Sequence, residues 1–368
     1  MANGLHFRTT RAEINRAALQ HNAGIIRDLA GEASVLGVIK ADAYGHGMVS
    51  AAQAIAGEVD AFAVAFLDEA LVLRSAGFTQ PIVLLEGCFS AAELPICAHH
   101  NLQPVVHEQS QLDAILTSRL IHPLAVWLKV DTGMHRLGWA PDQVRRVYKE
   151  LNASSQVGSV TLMSHYANSG DSEHPVTQQQ EKQFYDLKAE TRLTDQLSLA
   201  NSAALVSASR DYEQFDRHWV RTGITLYGIS PNPEQPVSAE LKPVMRLVAP
   251  VIALRDIAAG DCVGYGSRWK AERDSRIATL AIGYADGYPR HCSSGTPVLL
   301  NGQQVPIAGT VSMDMITVDV TDLEKVQVGD EAELWGPELS VHEIARHAGT
   351  ISYELVTRVS ARVPRVEI

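Results

Sequence analysis

A lysine stands at the end of a short apolar run in VLGVIKADAYGHG, residues 35–47. An ammonium is costly to desolvate there. A lysine that does lose its water, however, becomes a competent nucleophile or base. Lys40 is one of several polar residues placed this way. Lys129 and Asp131 close LAVWLKV and lead into TGMHRLG with Arg136. His165 closes VTLMSH, Asn201 and Ser202 follow LSLA, and Arg221 and Gly223 lie in WVRTGITLY. Taken singly, each has a plain structural reading: a snorkelling lysine, a packed histidine, a salt-bridged arginine. Together on one face of a fold they would form a site.

The elements that must bring them together are legible as a pattern. Apolar runs at 35–40, 61–66, 81–86, 102–106, 124–130, 160–165, 197–201 and 219–227 alternate with helix-like stretches such as PDQVRRVYKELN. Continuous rather than alternating apolar strands indicate burial on both faces. Eight strands separated by helices predict an α/β fold, a (β/α)8 barrel over residues 10–235, whose active groups would sit at the C-terminal strand ends. An open doubly wound sheet is the alternative. The proline-rich SPNPEQPVSAELKP (230–243) reads as a boundary. Beyond it short strand signals, the hairpin dipeptide Asn301-Gly302 and a helix near VHEIARHAG predict a mostly β domain over 243–368, with the segment 1–9 a candidate to join it.

A chain of 368 residues exceeds one compact core, and 46% hydrophobic content is enough to fill two. The net charge of −11 argues against nucleic acid as a partner. No apolar run reaches the ~18 residues that span a bilayer, and MANGLHFRTTRAEIN lacks a secretory h-region. Cys88, Cys97, Cys262 and Cys292 are scattered, without the spacing of a metal site, so the expectation is a cytoplasmic protein with free thiols and no metal.

The motifs become specific when read in order. VIKADAYGHG, LKVDTGMHRLG, MSHYA, ANSAA, VRTGITLYG, VGYGSRW, AIGYADGYPR, GTVSMDM and ISYELVTR resemble those of the alanine racemases, pyridoxal 5′-phosphate (PLP) enzymes of fold type III. The resemblance spans nearly the whole chain and implies a PLP-binding barrel followed by a β domain. It implies interconversion of L- and D-alanine by two bases, for peptidoglycan supply or alanine catabolism, in a homodimer with shared sites. Lys40 would bind PLP covalently and serve one face of the substrate. Tyr265, contributed by the partner copy, would serve the other.

By the same resemblance Arg221 contacts the PLP ring nitrogen. A guanidinium keeps its proton, so it donates to that nitrogen without protonating it. His165 lies near the ring. Tyr44, Asn201, Ser202, Gly223, Ile224 and Tyr353 match the cofactor-holding positions, most of them around the phosphate. Arg136 matches an arginine near the PLP hydroxyl and the substrate carboxylate, Met313 and Asp314 match residues that the partner copy brings near that carboxylate, and Tyr284 with Tyr353 narrows the approach. Lys129 matches a lysine that many members carry carbamylated. Thr222 departs from the proline of many relatives, and Thr310 from the arginine of some. The alternatives are a racemase of broader range, serine included, and a non-catalytic PLP-binding protein, a single barrel without residues 243–368.

Overall fold

The computed structural model of the chain describes residues 8–171, 173–191, 194–206, 218–232 and 240–368. Residues 1–7 of the N-terminal segment and 233–239 of the proline-rich stretch lie outside the described residues. The chain forms two compact units. One comprises Leu19–Ala43 and Met48–Leu241; the other takes the segment ending at Ala18, Tyr44–Gly47 and Lys242–Ile368.

The strand β1 (Arg11–Ile14) belongs to the second unit. The first is built on β2 (Ser34–Val38), β3 (Ala61–Val64), β4 (Ile82–Leu84), β5 (Leu102–Val106), β6 (Leu124–Lys129), β7 (Val157–Met163), β8 (Leu197–Ser198) and β9 (Trp219–Thr222). They pair in parallel in the order β8-β7-β6-β5-β4-β3-β2-β9. A parallel bridge from Leu197 to His218, just before β9, closes the sheet on itself. This is the barrel that the apolar runs predict, and the bridge excludes the open sheet. The runs are continuous because both strand faces are covered: consecutive Val35 and Leu36 are fully buried, as are Ile82, Val83 and Leu84. Each such side chain stabilises the fold by about 1.5–3 kcal/mol.

One sequence expectation is corrected here. β2 stops at Val38, and Lys40 does not end a buried strand. Its side chain is 36% exposed. The chain leaves the ladder because Ala41, Asp42, Ala43 and Tyr44 adopt φ of 53–54°. Four consecutive non-glycine residues thus form a left-handed turn, a conformation costing roughly 1–2 kcal/mol per residue. Gly45 completes it at φ 81°; a Cβ there would meet the Val356 carbonyl oxygen at 2.2 Å.

The second unit is mostly β. Its long strand β10 (Met245–Ile257) pairs antiparallel with β1. The remaining strands are β11 (Cys262–Val263), β12 (Trp269–Lys270), β13 (Ser275–Leu280), β14 (Pro297–Leu300), β15 (Gln303–Pro306), β16 (Ile316–Asp319), β17 (Glu331–Trp335) and β18 (Arg365–Glu367). β1 lies between β10 and β18. Arg246 on β10 joins three strands: Nε donates to Glu333 at 2.7 Å, and Nη1 to Glu13 and Glu331 at 2.9 Å. The Asn301-Gly302 signal is a two-residue hairpin between β14 and β15, with φ of 51° and 76° as a type I′ turn requires.

Candidate active site

The C-terminal ends of the barrel strands carry the polar residues singled out above. Lys129 is the last residue of β6 and is buried. The loop behind it is closed at its base by Trp139 N donating to Lys129 O and Asp131 N donating to Trp139 O, both at 2.9 Å. Asp131 Oδ1 accepts from the amides of Gly133, Met134 and His135. This is why DTGMHRLG folds as a tight loop. It carries Arg136, itself exposed, close enough to Lys129 to affect its charge. At Gly138, φ is 130° and a Cβ would stand 2.6 Å from Asp131 N, so only glycine fits the return.

Arg221 lies on β9 with 4% exposure. Its Nη1 donates to Ser198 Oγ at 2.5 Å, and its Nη2 to Ser164 O at 2.7 Å and Leu199 O at 3.1 Å. His165 Nδ1 accepts from the same Nη2 at 3.2 Å. A guanidinium only donates, so this contact requires an unprotonated Nδ1. Burial, then the charges of Arg221, Lys129, Arg136 and Lys40, hold His165 well below the usual histidine range. Burial also lowers Lys129 to about 8, with Arg221 and Arg136 adding to the effect and Glu86 opposing it.

β8 is shorter than its apolar run, ending at Ser198, and Asn201 and Ser202 are not strand residues. Asn201 Oδ1 accepts from Ala204 N at 3.1 Å, capping the helix Ser202–Val206. Ser202 Oγ accepts from Gly223 N at 2.8 Å, and Ile224 opens the 3₁₀ turn that follows β9. Hydroxyl and amide donors therefore gather beyond β8 and β9.

Two carboxylates at this end of the barrel escaped the sequence reading. Glu86, just past β4, places Oε1 3.8 Å from Lys40 Nζ. Its backbone is fixed by Gly87 at φ 72° and by Gln111 Nε2, which donates to Glu86 O and Cys88 O at 3.3 Å. Glu69, on the helix Leu67–Ser75, accepts from Ala41 N and Ala65 N, each at 2.7 Å. An acid after an apolar run was the available signal for Glu86; Glu69 offered none beyond helix capping.

The other expected residues lie in the second unit. Tyr44 and Tyr353 have ring centroids 6.2 Å apart, and desolvation pushes the Tyr44 phenol up to about 12. Tyr284 N donates to Ser312 O and Ala285 N to Met313 O, both at 3.0 Å, so the Tyr284 turn and the Met313–Asp314 loop form one cluster. A Cβ on Gly283 would stand 2.4 Å from Met313 backbone atoms. Asp314 accepts from Arg362 at 2.7 Å, and Arg362 also approaches the buried Asp286 carboxylate. Tyr265 sits between Gly264 and Gly266, both at positive φ, and is 72% exposed. Among the described residues no group of three or more His, Cys, Asp or Glu side chains could hold a metal, and no helix is long and apolar enough to cross a membrane.

Comparison with known proteins covers this whole arrangement. The family described as "Alanine racemase, N-terminal domain" matches residues 14–231, and "Alanine racemase, C-terminal domain" matches 244–367. The alanine racemase of Azoarcus sp. (strain BH72) is 47% identical over 97% of this chain and 99% of its own. The catabolic alanine racemase of Pseudomonas aeruginosa is 45% identical over 98% and 99%. The crystal structure of the biosynthetic alanine racemase from Pseudomonas aeruginosa superposes with a TM-score of 0.92 at 43% identity, covering 98% of this chain and all of that one.

Proposed function

Because the chain belongs to the alanine racemase family, we propose that it interconverts L- and D-alanine with PLP, using Lys40 and Tyr265 as its two bases. The observation that carries this reading is the set of groups at the barrel's strand ends. Lys40, Arg136 and Arg221 all lie within electrostatic reach of Lys129. The Ser202 hydroxyl and Gly223 amide lie beyond β8 and β9. This excess of positive charge and donors fits a phosphorylated aromatic aldehyde and an amino-acid carboxylate. Lys40 would hold the cofactor covalently, Asn201, Ser202, Gly223, Ile224, Tyr44 and Tyr353 would seat it, and Arg221 with His165 would face its ring.

When bound, PLP supplies a sink for the electron pair left as the α-proton departs. The chain's own residues do the rest. Arg136, with Met313 and Asp314 supplied by a second copy, orients the substrate carboxylate. Lys40 Nζ takes or returns the proton on one face, and the Tyr265 hydroxyl on the other. Glu86 places Oε1 3.8 Å from the Lys40 amine, within ion-pair distance. A phenol as exposed as Tyr265 in one protomer suits a role in the site of a second copy, so the working form is a homodimer with alanine as its small-molecule partner. Lys129, lowered toward neutrality, reacts readily with CO2, and the resulting anion would pair with Arg136.

The test is α-proton exchange in D2O, with the PLP-loaded protein and L-alanine, followed by chiral analysis. Deuterated alanine of both hands is expected. Lys40→Ala should lose both cofactor attachment and exchange, and Tyr265→Phe should lower racemisation by a hundredfold or more, as loss of a general acid–base does. Unchanged cofactor attachment and exchange in Lys40→Ala would overturn the assignment.

A further inference from the structure

The left-handed turn after Lys40 needs a restraint, and the structure shows where one acts. The Lys40–Ala41 peptide fixes the direction in which the lysine side chain leaves the backbone. Its amide, Ala41 N, donates to Glu69 Oε1 at 2.7 Å. The other oxygen of the same carboxylate accepts from Ala65 N at 2.7 Å and Phe66 N at 3.4 Å, at the corner between β3 and the helix Leu67–Ser75. One carboxylate therefore ties the turn beyond β2 to the corner beyond β3. A helix cap alone would need only the second set of contacts.

Other hydrogen bonds at the turn include Ala43 N to Ile39 O at 2.9 Å, Met48 N to Asp42 Oδ1 at 2.7 Å and Arg365 Nε to Gly45 O at 2.9 Å. Ile39 N, just before the lysine, also donates to Ala63 O on β3 at 2.9 Å, but none of these bonds holds the Lys40–Ala41 peptide itself. We propose that Glu69 is a positioning residue for Lys40, holding the Lys40–Ala41 peptide in the orientation that aims Nζ across the barrel mouth. The inference rests on the reading of Lys40 as the cofactor-binding base.

Glu69→Gln is the informative change, because an amide offers one acceptor and would oppose N–H to N–H at one of the two ends. Hydrogen exchange of the Ala41 amide in cofactor-free protein should be at least tenfold faster in the variant. In PLP-loaded protein, kcat should fall tenfold or more with the KM for alanine within twofold, and borohydride should trap less cofactor on Lys40. Glu69→Asp, too short to bridge, should not rescue. A lowered melting temperature with Ala41 exchange, trapping and kcat all within twofold of the parent would reduce Glu69 to a helix cap and overturn the inference. If the parent itself traps no PLP on Lys40, the proposed function fails, while Ala41 exchange still reports on the clamp. Should Glu69→Gln not fold, the Ala41 and Ala65 amide resonances of the parent decide: a single shared acid midpoint is expected, and separate midpoints would overturn it.

Discussion

Arg221 directs its buried donors at Ser198 Oγ, Ser164 O and Leu199 O. Arg221→Lys cannot reach all three from one ammonium. A buried acceptor left unmet costs about 1–3 kcal/mol, so a loss of that order in denaturant unfolding is expected, with the constraint on His165 released. Lys129 makes a second prediction. Its amine must be neutral to attack CO2, so incorporation of labelled bicarbonate should rise as pH rises toward about 8, and should vanish in Lys129→Arg. Residues such as Arg221, Lys129 and His165 were legible because a polar group interrupting an apolar run is unusual. The conformation at Lys40 was not. KADAY contains no residue that demands φ above zero, so the left-handed turn is imposed by tertiary contacts rather than local preference.

Among the elements, the helix Ser202–Val206 depends on its cap. Asn201→Ala should cost about 1 kcal/mol and weaken cofactor retention, measurable as faster loss of visible absorbance on dialysis. In the second unit Gly283→Ala is the sharper change. Its Cβ would press on Met313 and Ser312 backbone atoms, which cannot rotate away. The Met313–Asp314 loop must shift, and a higher KM for alanine than in the parent is expected. Strand positions were readable to within a few residues because covered parallel strands write themselves as unbroken apolar runs. Their ends were less so: β2 and β8 stop short because the chain turns away before the apolar run does. The hairpin at Asn301-Gly302 needed no tertiary information, since the turn itself selects those two residues.

For the molecule as a whole, barrel closure carries a pH dependence. His218 bridges to Leu197, and its carbonyl accepts from Ser34 N at 2.9 Å. It is 1% exposed, and burial followed by Arg221 lowers it to about 4. Between about pH 6.5 and 4 the unfolded chain binds a proton there that the folded chain does not, so stability falls as pH falls through that window. The shift corresponds to about 3 kcal/mol, and His165 acts in the same direction. Urea midpoints measured against pH should show the decline, and His218→Gln should flatten it.

The position of β1 has a consequence for synthesis. This strand is made before every barrel strand, yet its ladder partner β10 begins at Met245, after the entire barrel. At roughly 5–20 residues per second, translation leaves β1 without that partner for on the order of 10–50 s. The barrel strands, each pairing with a near neighbour in sequence, need no such wait, except for β2 with β9. On the ribosome the second unit is therefore the last to assemble, and of its strands β1 waits longest for a partner.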